Sequence, residues 1–134
     1  MLSDYTPTPS LAVTDLARAR EFYEGVLGLT AAGGWPEGVR YPAGAGSLFV
    51  YPSAYAGTNK ATAAAFEVPL AAFDVEVAAL RAQGVELLTF DLEGIVWADG
   101  VATMPEMGGA KAVWFADPDG NILNVGTPMS SGSA

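Results

Sequence analysis

The 134-residue chain has no cysteine and no histidine. The first absence excludes disulfides, thiol nucleophiles and thiolate metal sites. The second removes imidazole as a metal ligand and as the usual general base near neutral pH. Basic residues are scarce: six face fifteen acids, for a formal net charge of −9. Binding a phosphate backbone requires Lys and Arg, so no nucleic-acid partner is expected. The acidic balance suits a cationic ligand, and it equally suits a solvated surface that keeps a protein soluble. No run of about 18 apolar residues occurs, so no spanning helix and no membrane partner are expected. The opening "MLSDYTPTPS" carries an early acid and no basic region of a secretory signal, which makes the cytoplasm the expected location.

What is present is an ordinary globular composition, 51% apolar and 16% charged. The length fits a single domain over residues 1–134. Ser10 to Val13 alternate as a strand that hides Leu11 and Val13, and Thr14 or Asp15 can cap a helix after it. Leu16, Ala19, Phe22, Tyr23, Val26 and Leu27 recur at helical spacing, and Gly28 stands where a helix ends. "LTAAG", "GVRYPA" and "SLFVYP", punctuated by glycines, read as three antiparallel strands.

The pattern then repeats. "TAAAFEV" is a strand, "PLAAFDVEVAALRAQG" is a helix with Leu70, Phe73, Val77 and Leu80 as its buried stripe, and "VELLTF" is a strand. The strand ends Val13 and Val68, and the helix ends Gly28 and Gly84, are offset by about 55 residues. "AKAVWFA" and "NILNVG" follow, joined by "DPDG", a type I turn with Gly120 at positive φ. Part of the long stretch "DLEGIVWADGVATMPEMGG" is expected to supply a further strand. The fold class is therefore α+β, two strand–helix–strand–strand–strand modules, one over about 5–57 and one over about 60–128. Asp117 and Asp119 are expected to bond their own turn backbone.

"VTDLARAREFYEGVLGL" followed by "AVWFADPDGNILNV" resembles the vicinal oxygen chelate superfamily, which includes glyoxalase I, bleomycin-resistance proteins and extradiol dioxygenases. The likeness runs from about Pro9 to Gly126. It implies two βαβββ modules forming an eight-stranded open cup of mixed sheet with helices outside, and a homodimer. It also implies metal ligands at inward positions that fall here on Thr8, Ala63 and Asn124, with a fourth-strand position near Phe49 or Tyr51. A divalent site needs three or more converging donors. Hydroxyl, methyl, amide and ring do not supply them, so no metal and no cofactor are expected.

Alternation gives the expected lining. With Leu11, Val13, Leu48, Val50, Phe66, Val68, Val113 and Phe115 turned to the helices, the opposite face carries Thr8, Ser10, Phe49, Tyr51, Ala63, Ala65, Glu67, Ala112, Trp114 and Asn124. Trp97, Met104 and Met107 on the long connection, with Trp35 in the first module, are candidates to close the cup or meet a second subunit. Thr8, Phe49, Tyr51, Ala63, Glu67, Trp97, Met104, Trp114 and Asn124 are thus the candidate ligand-binding residues, with no catalytic residue assigned. The expected function is metal-free binding of a small aromatic or cationic molecule, as in the bleomycin-resistance members. Two alternatives stay open: a lyase or isomerase using a carboxylate such as Glu67, and a dimeric interaction protein with a vestigial cup.

Overall fold

A computed structural model describes residues 1–129, with the side chains of Gly34 and Trp35 outside the described set. The reading of Trp35 as a loop aromatic at the site therefore lies outside the described residues. The chain divides into two compact units. The first holds residues 1–63 together with 117–121, and the second holds 64–116 and the chain from 122 onward.

The first unit starts with β1 (Ser10–Val13), followed by α1 (Leu16–Arg20) and a π-helical continuation over Glu21–Val26. Asp15 is the cap: its carboxylate accepts the Arg18 amide at 3.2 Å. The predicted single α-helix changes winding at Glu21, where Leu27 N–H reaches back five residues to the Phe22 carbonyl at 3.0 Å. Gly28 then turns the chain at φ +74°. β2 (Gly34–Trp35), β3 (Gly38–Ala43) and β4 (Gly46–Pro52) complete a four-stranded sheet in the order β1-β4-β3-β2. "LTAAG" is not the second strand; the short β2 lies just beyond it. β1 pairs with β4 in parallel, and the other pairs are antiparallel. The buried face carries Leu11, Val13, Val39, Tyr41, Leu48 and Val50, as alternation requires, and Ala19 and Tyr23 of the helix are fully buried.

The second sheet has the order β5-β9-β8-β7-β6. Its members are β5 (Thr62–Glu67), β6 (Val96–Ala98), β7 (Val101–Met104), β8 (Ala110–Ala116) and β9 (Ile122–Gly126), and α2 (Leu70–Ala82) follows β5. Phe73, Val77 and Leu80 are buried, whereas Leu70 is 64% exposed. The expected stripe is one position too long, because Leu70 is the first helical residue after Pro69 and precedes the turn that meets the sheet. Full burial of side chains such as Phe73 and Phe115 stabilises the unit by roughly 1.5–3 kcal/mol each.

"VELLTF" does not form a regular strand; it makes one antiparallel bridge, Leu88 to Trp114, with Leu88 N–H on the Trp114 carbonyl at 2.8 Å. Strand structure in this region instead comes from the β6–β7 hairpin. Asp99 and Gly100 turn it with φ of 51° and 77°, the pair of positive values that an Asp-Gly hairpin turn uses. That dipeptide between "IVWA" and "VATM" is a sequence signal for the hairpin. The architecture is α+β, with a βαβββ module in each half and one extra short arm, β6, in the second.

Candidate functional site

Around the turn at 117–120 the first unit bonds most of its polar groups to one another, and Asp119 Oδ2 is left buried without a hydrogen-bond partner. The "DPDG" turn forms as expected, with Gly120 N–H on the Asp117 carbonyl at 3.0 Å and Gly120 at φ +85°. Asp117 is buried and takes the backbone amides of Asp119 and Asn121 at 2.9 Å each. It also accepts the Tyr23 hydroxyl at 2.7 Å and the Asn121 amide at 2.8 Å. Asn121 in turn donates to the Ala12 carbonyl of β1 at 2.8 Å.

Asp119 corrects the turn-residue expectation. Its Oδ1 does not bond its own backbone; it accepts from Thr14 N–H at 3.1 Å, Thr14 Oγ1 at 2.8 Å and Arg18 Nη2 at 3.2 Å. The residue fixes the β1–α1 corner through contacts about a hundred positions away in sequence. Burial, and then the neighbouring Asp117 charge, push the Tyr23 phenol far above its ordinary range. Tyr41 is raised as well, by burial and by its hydrogen bond to Glu24, whose own carboxyl is lowered by bonds from Arg20 and Tyr41. These phenols are donors in a scaffold.

The second unit differs. β8 and β9 pair Trp114 with Asn124, and their neighbours Val113, Leu123 and Val125 are buried. Asn124 is therefore half-buried on the face opposite those three, as alternation predicts. Its Nδ2 reaches the Val113 carbonyl at 3.3 Å, a long bond, while its Oδ1 would stand 3.3 Å from a Cβ placed on Gly126. A concavity of about 380 Å³ opens here, lined by Ala65, Phe66, Glu67, Asn124, Gly126, Thr127 and Met129. Thr127 is occupied, since its hydroxyl accepts the Lys111 amide at 2.9 Å. Glu67 is exposed at the end of β5. A carboxylate and an amide oxygen are thus the polar side-chain groups left to a ligand, beside the apolar side chains of Ala65, Phe66 and Met129.

Of the expected lining, Ala65, Glu67 and Asn124 come together in this concavity. Trp114, Trp97 and Met104 share Asn124's sheet face by register but do not line this concavity. Trp114 meets Trp97 at 5.8 Å and Phe90 edge-on at 5.8 Å. Trp97 thus finds its cover inside its own unit, and Met107 stays 45% exposed. Phe49 and Tyr51 stack on each other in the first unit, centroids 5.8 Å apart at 11°. Thr8 is exposed, Ala63 half-buried, and both fall in the first unit while Asn124 falls in the second.

The facing assignments hold by register, with two differences in exposure. Ala112 is buried, as a small side chain in register between Ala102 and Gly126. Phe66, assigned to the helix side, is half-buried and lines the concavity. Gly126, Thr127 and Met129 carry no assignment from the sequence. Gly126 was legible by stepping two residues on from Asn124; Met129 lies past the strand, where alternation stops informing.

The donor set can be tested against a family-type metal site. Thr8, Ala63 and Asn124 offer one hydroxyl, no donor and one neutral amide, and the amide nitrogen already faces a carbonyl. Among the described residues no three His, Cys, Asp or Glu side chains come together in a way that could hold an ion. The residues present do not fit a divalent centre at these positions. No helix among the described residues is long and apolar enough to cross a membrane.

The profile of the Glyoxalase/Bleomycin resistance protein/Dioxygenase superfamily matches residues 6–125. Among solved structures, a glyoxalase/bleomycin resistance protein/dioxygenase from Alicyclobacillus acidocaldarius is similar, with TM-score 0.69, 16% identity, and coverage of 92% of this chain and 91% of that one. A lactoylglutathione lyase from Agrobacterium tumefaciens gives TM-score 0.67 at 19% identity, covering 92% of each chain. The fosfomycin resistance protein FosX from Mesorhizobium loti gives 0.65 at 14%, covering 93% and 92%. At these identities the likeness concerns the fold. No curated protein matches the chain.

Proposed function

Since the chain belongs to the glyoxalase/bleomycin resistance protein/dioxygenase superfamily, we propose that it binds a small organic molecule in the concavity of its second unit without a metal ion. The observation that carries this reading is that Glu67 and Asn124 line one hollow of about 380 Å³ whose walls are part polar and part apolar. A carboxylate favours a cationic group, and the free amide oxygen accepts a hydrogen bond from an N–H or O–H beside it. Phe66, Met129 and Ala65 supply apolar contact, and Met adapts its shape to irregular ligands. A planar cationic compound fits this chemistry.

Calorimetric titration with a panel of planar cations and their neutral analogues tests it. The expected result is preference for the cation, with affinity falling about tenfold in Glu67→Gln, the size of one charge-assisted hydrogen bond. Absence of heat across the panel defeats the proposal. Elemental analysis of protein purified without chelator is expected to find far less than one metal ion per chain, and a stoichiometric ion would overturn the metal-free part.

A second reading draws on the same position of Glu67. An exposed carboxylate at the edge of a hollow can take a proton from a bound substrate, which would make the protein a lyase or isomerase. Turnover that disappears in Glu67→Gln while the fold persists would favour it. A homodimer is also part of the proposal: Leu92, Val96 and Met107 are 50%, 59% and 45% exposed on or beside the β6–β7 hairpin. Light scattering at high dilution checks it, with a doubled mass as the expected outcome.

A further inference from the structure

We propose that the first unit carries a separate site for a planar aromatic carboxylate, its acid group held by Arg40 and its ring laid on Phe49 and Tyr51. The starting point is charge. Three of the four arginines have a carboxylate: Arg18 with Asp119 at 3.2 Å, Arg20 with Glu24 at 2.6 Å and Arg81 with Asp99 at 3.6 Å. Arg40 has none among the described residues, in a chain with fifteen acids to choose from. An excess of acids makes an unpaired arginine the exception, and its place on the sheet gives it a context.

Sheet register supplies that context. Arg40 of β3 stands directly opposite Phe49 of β4, and Ser10 of β1 stands opposite Phe49 on the other side. Side chains of paired residues share a face, so hydroxyl, ring and guanidinium form one row across three strands. This is the face away from Leu11, Val39, Leu48 and Val50, which are buried. Tyr51, two residues on from Phe49, stacks on it nearly parallel. The Phe49 ring reaches across to β3, where a Cβ on Gly38 would come within 2.4 Å of it. A glycine at 38 is what gives the ring that room. Arg40 is exposed, and the two rings are half-buried.

The combination selects a ligand class. A guanidinium binds a carboxylate through two parallel hydrogen bonds, a geometry that an ammonium does not reproduce. The outer face and edges of the stacked Phe49–Tyr51 pair beside it give an apolar contact for an aromatic body. Neither a cation nor a purely aliphatic molecule uses both. The site shares no residue with the Glu67–Asn124 concavity, so the two proposals fail independently.

Titrations of 2-naphthoate, its neutral analogue 2-naphthamide, and acetate into the full chain test this proposal. The expected result is that naphthoate binds about tenfold or more tighter than naphthamide, and that acetate binds far more weakly than either. Arg40→Gln should erase the preference for the acid and leave naphthamide affinity unchanged, and Arg40→Lys should restore only part of it. Phe49→Ala should weaken both aromatic ligands, with circular dichroism confirming the fold. Equal affinity for acid and amide, no measurable binding of naphthoate, acetate binding as tightly as naphthoate, or an unaltered preference in Arg40→Gln would each overturn the proposal. So would loss of naphthoate binding in Glu67→Gln, which would relocate the ligand to the second unit.

Discussion

The "DPDG" corner of the first unit and the concavity of the second use polar side chains in opposite ways. In the first, Asp117, Asn121, Tyr23, Asp119 and Thr14 bond one another and the backbone at 2.7–3.1 Å. In the second, Asn124 has one long bond at 3.3 Å, and Glu67 projects from the end of a strand into a hollow. The first arrangement is a scaffold, because every partner satisfied by protein is unavailable to a ligand. The second leaves groups free, and the cost is small because both are partly in water. The contrast shows that a polar residue in a motif and a polar residue at a site are told apart by their partners.

The largest expected effect lies in the scaffold. Asp117→Ala should destabilise the protein by about 3 kcal/mol, since it strands the buried Tyr23 hydroxyl and two backbone amides. Urea denaturation measures it, and a loss under about 1 kcal/mol would show that the network is replaceable and blur the contrast.

The next effect is a pH dependence. Tyr23 and Tyr41 hold their protons more tightly when folded than the ordinary phenol value of about 10. As pH rises past that value the unfolded chain releases them first, so the stabilisation is full below about 10 and declines above it. The slope should reach up to about 1.4 kcal/mol per pH unit for a single phenol, and Tyr23→Phe should flatten it. A midpoint that stays constant from pH 9 to 11.5 would contradict this.

The smallest stability effects belong to the second unit. Glu67→Gln and Asn124→Ala should each change stability by less than about 0.5 kcal/mol and about 1 kcal/mol respectively, while lowering affinity for a cationic ligand. If either instead destabilised the protein as much as Asp117→Ala, the division between scaffold and site would fail.

The facing of the candidate side chains is readable by alternation alone. Leu123 and Val125 are apolar, so Asn124 had to face the other way, and Glu67 followed in the same manner from Phe66 and Val68. Asp119 was misread because sequence shows only a turn residue's own neighbours. Its bonds to Thr14 and Arg18 exist through packing that joins segments a hundred residues apart. Phe66 keeps the side of buried Ala64 and still borders the hollow, which lies at the end of the strand. "VELLTF" had strand composition, but β7 takes that edge of β8 over residues 110–112, and beyond it Leu88 makes a single bridge to Trp114.

Apolar periodicity, the two helix-ending glycines and the "DPDG" turn determined the α+β class, the repeated module and the buried face of each strand. Those features act over a few residues, where backbone geometry leaves few choices. Which acids are spent in bonds, and which arginine keeps a free charge, was decided only by the folded chain. That depends on distances between groups remote in sequence, and composition contains no such distances.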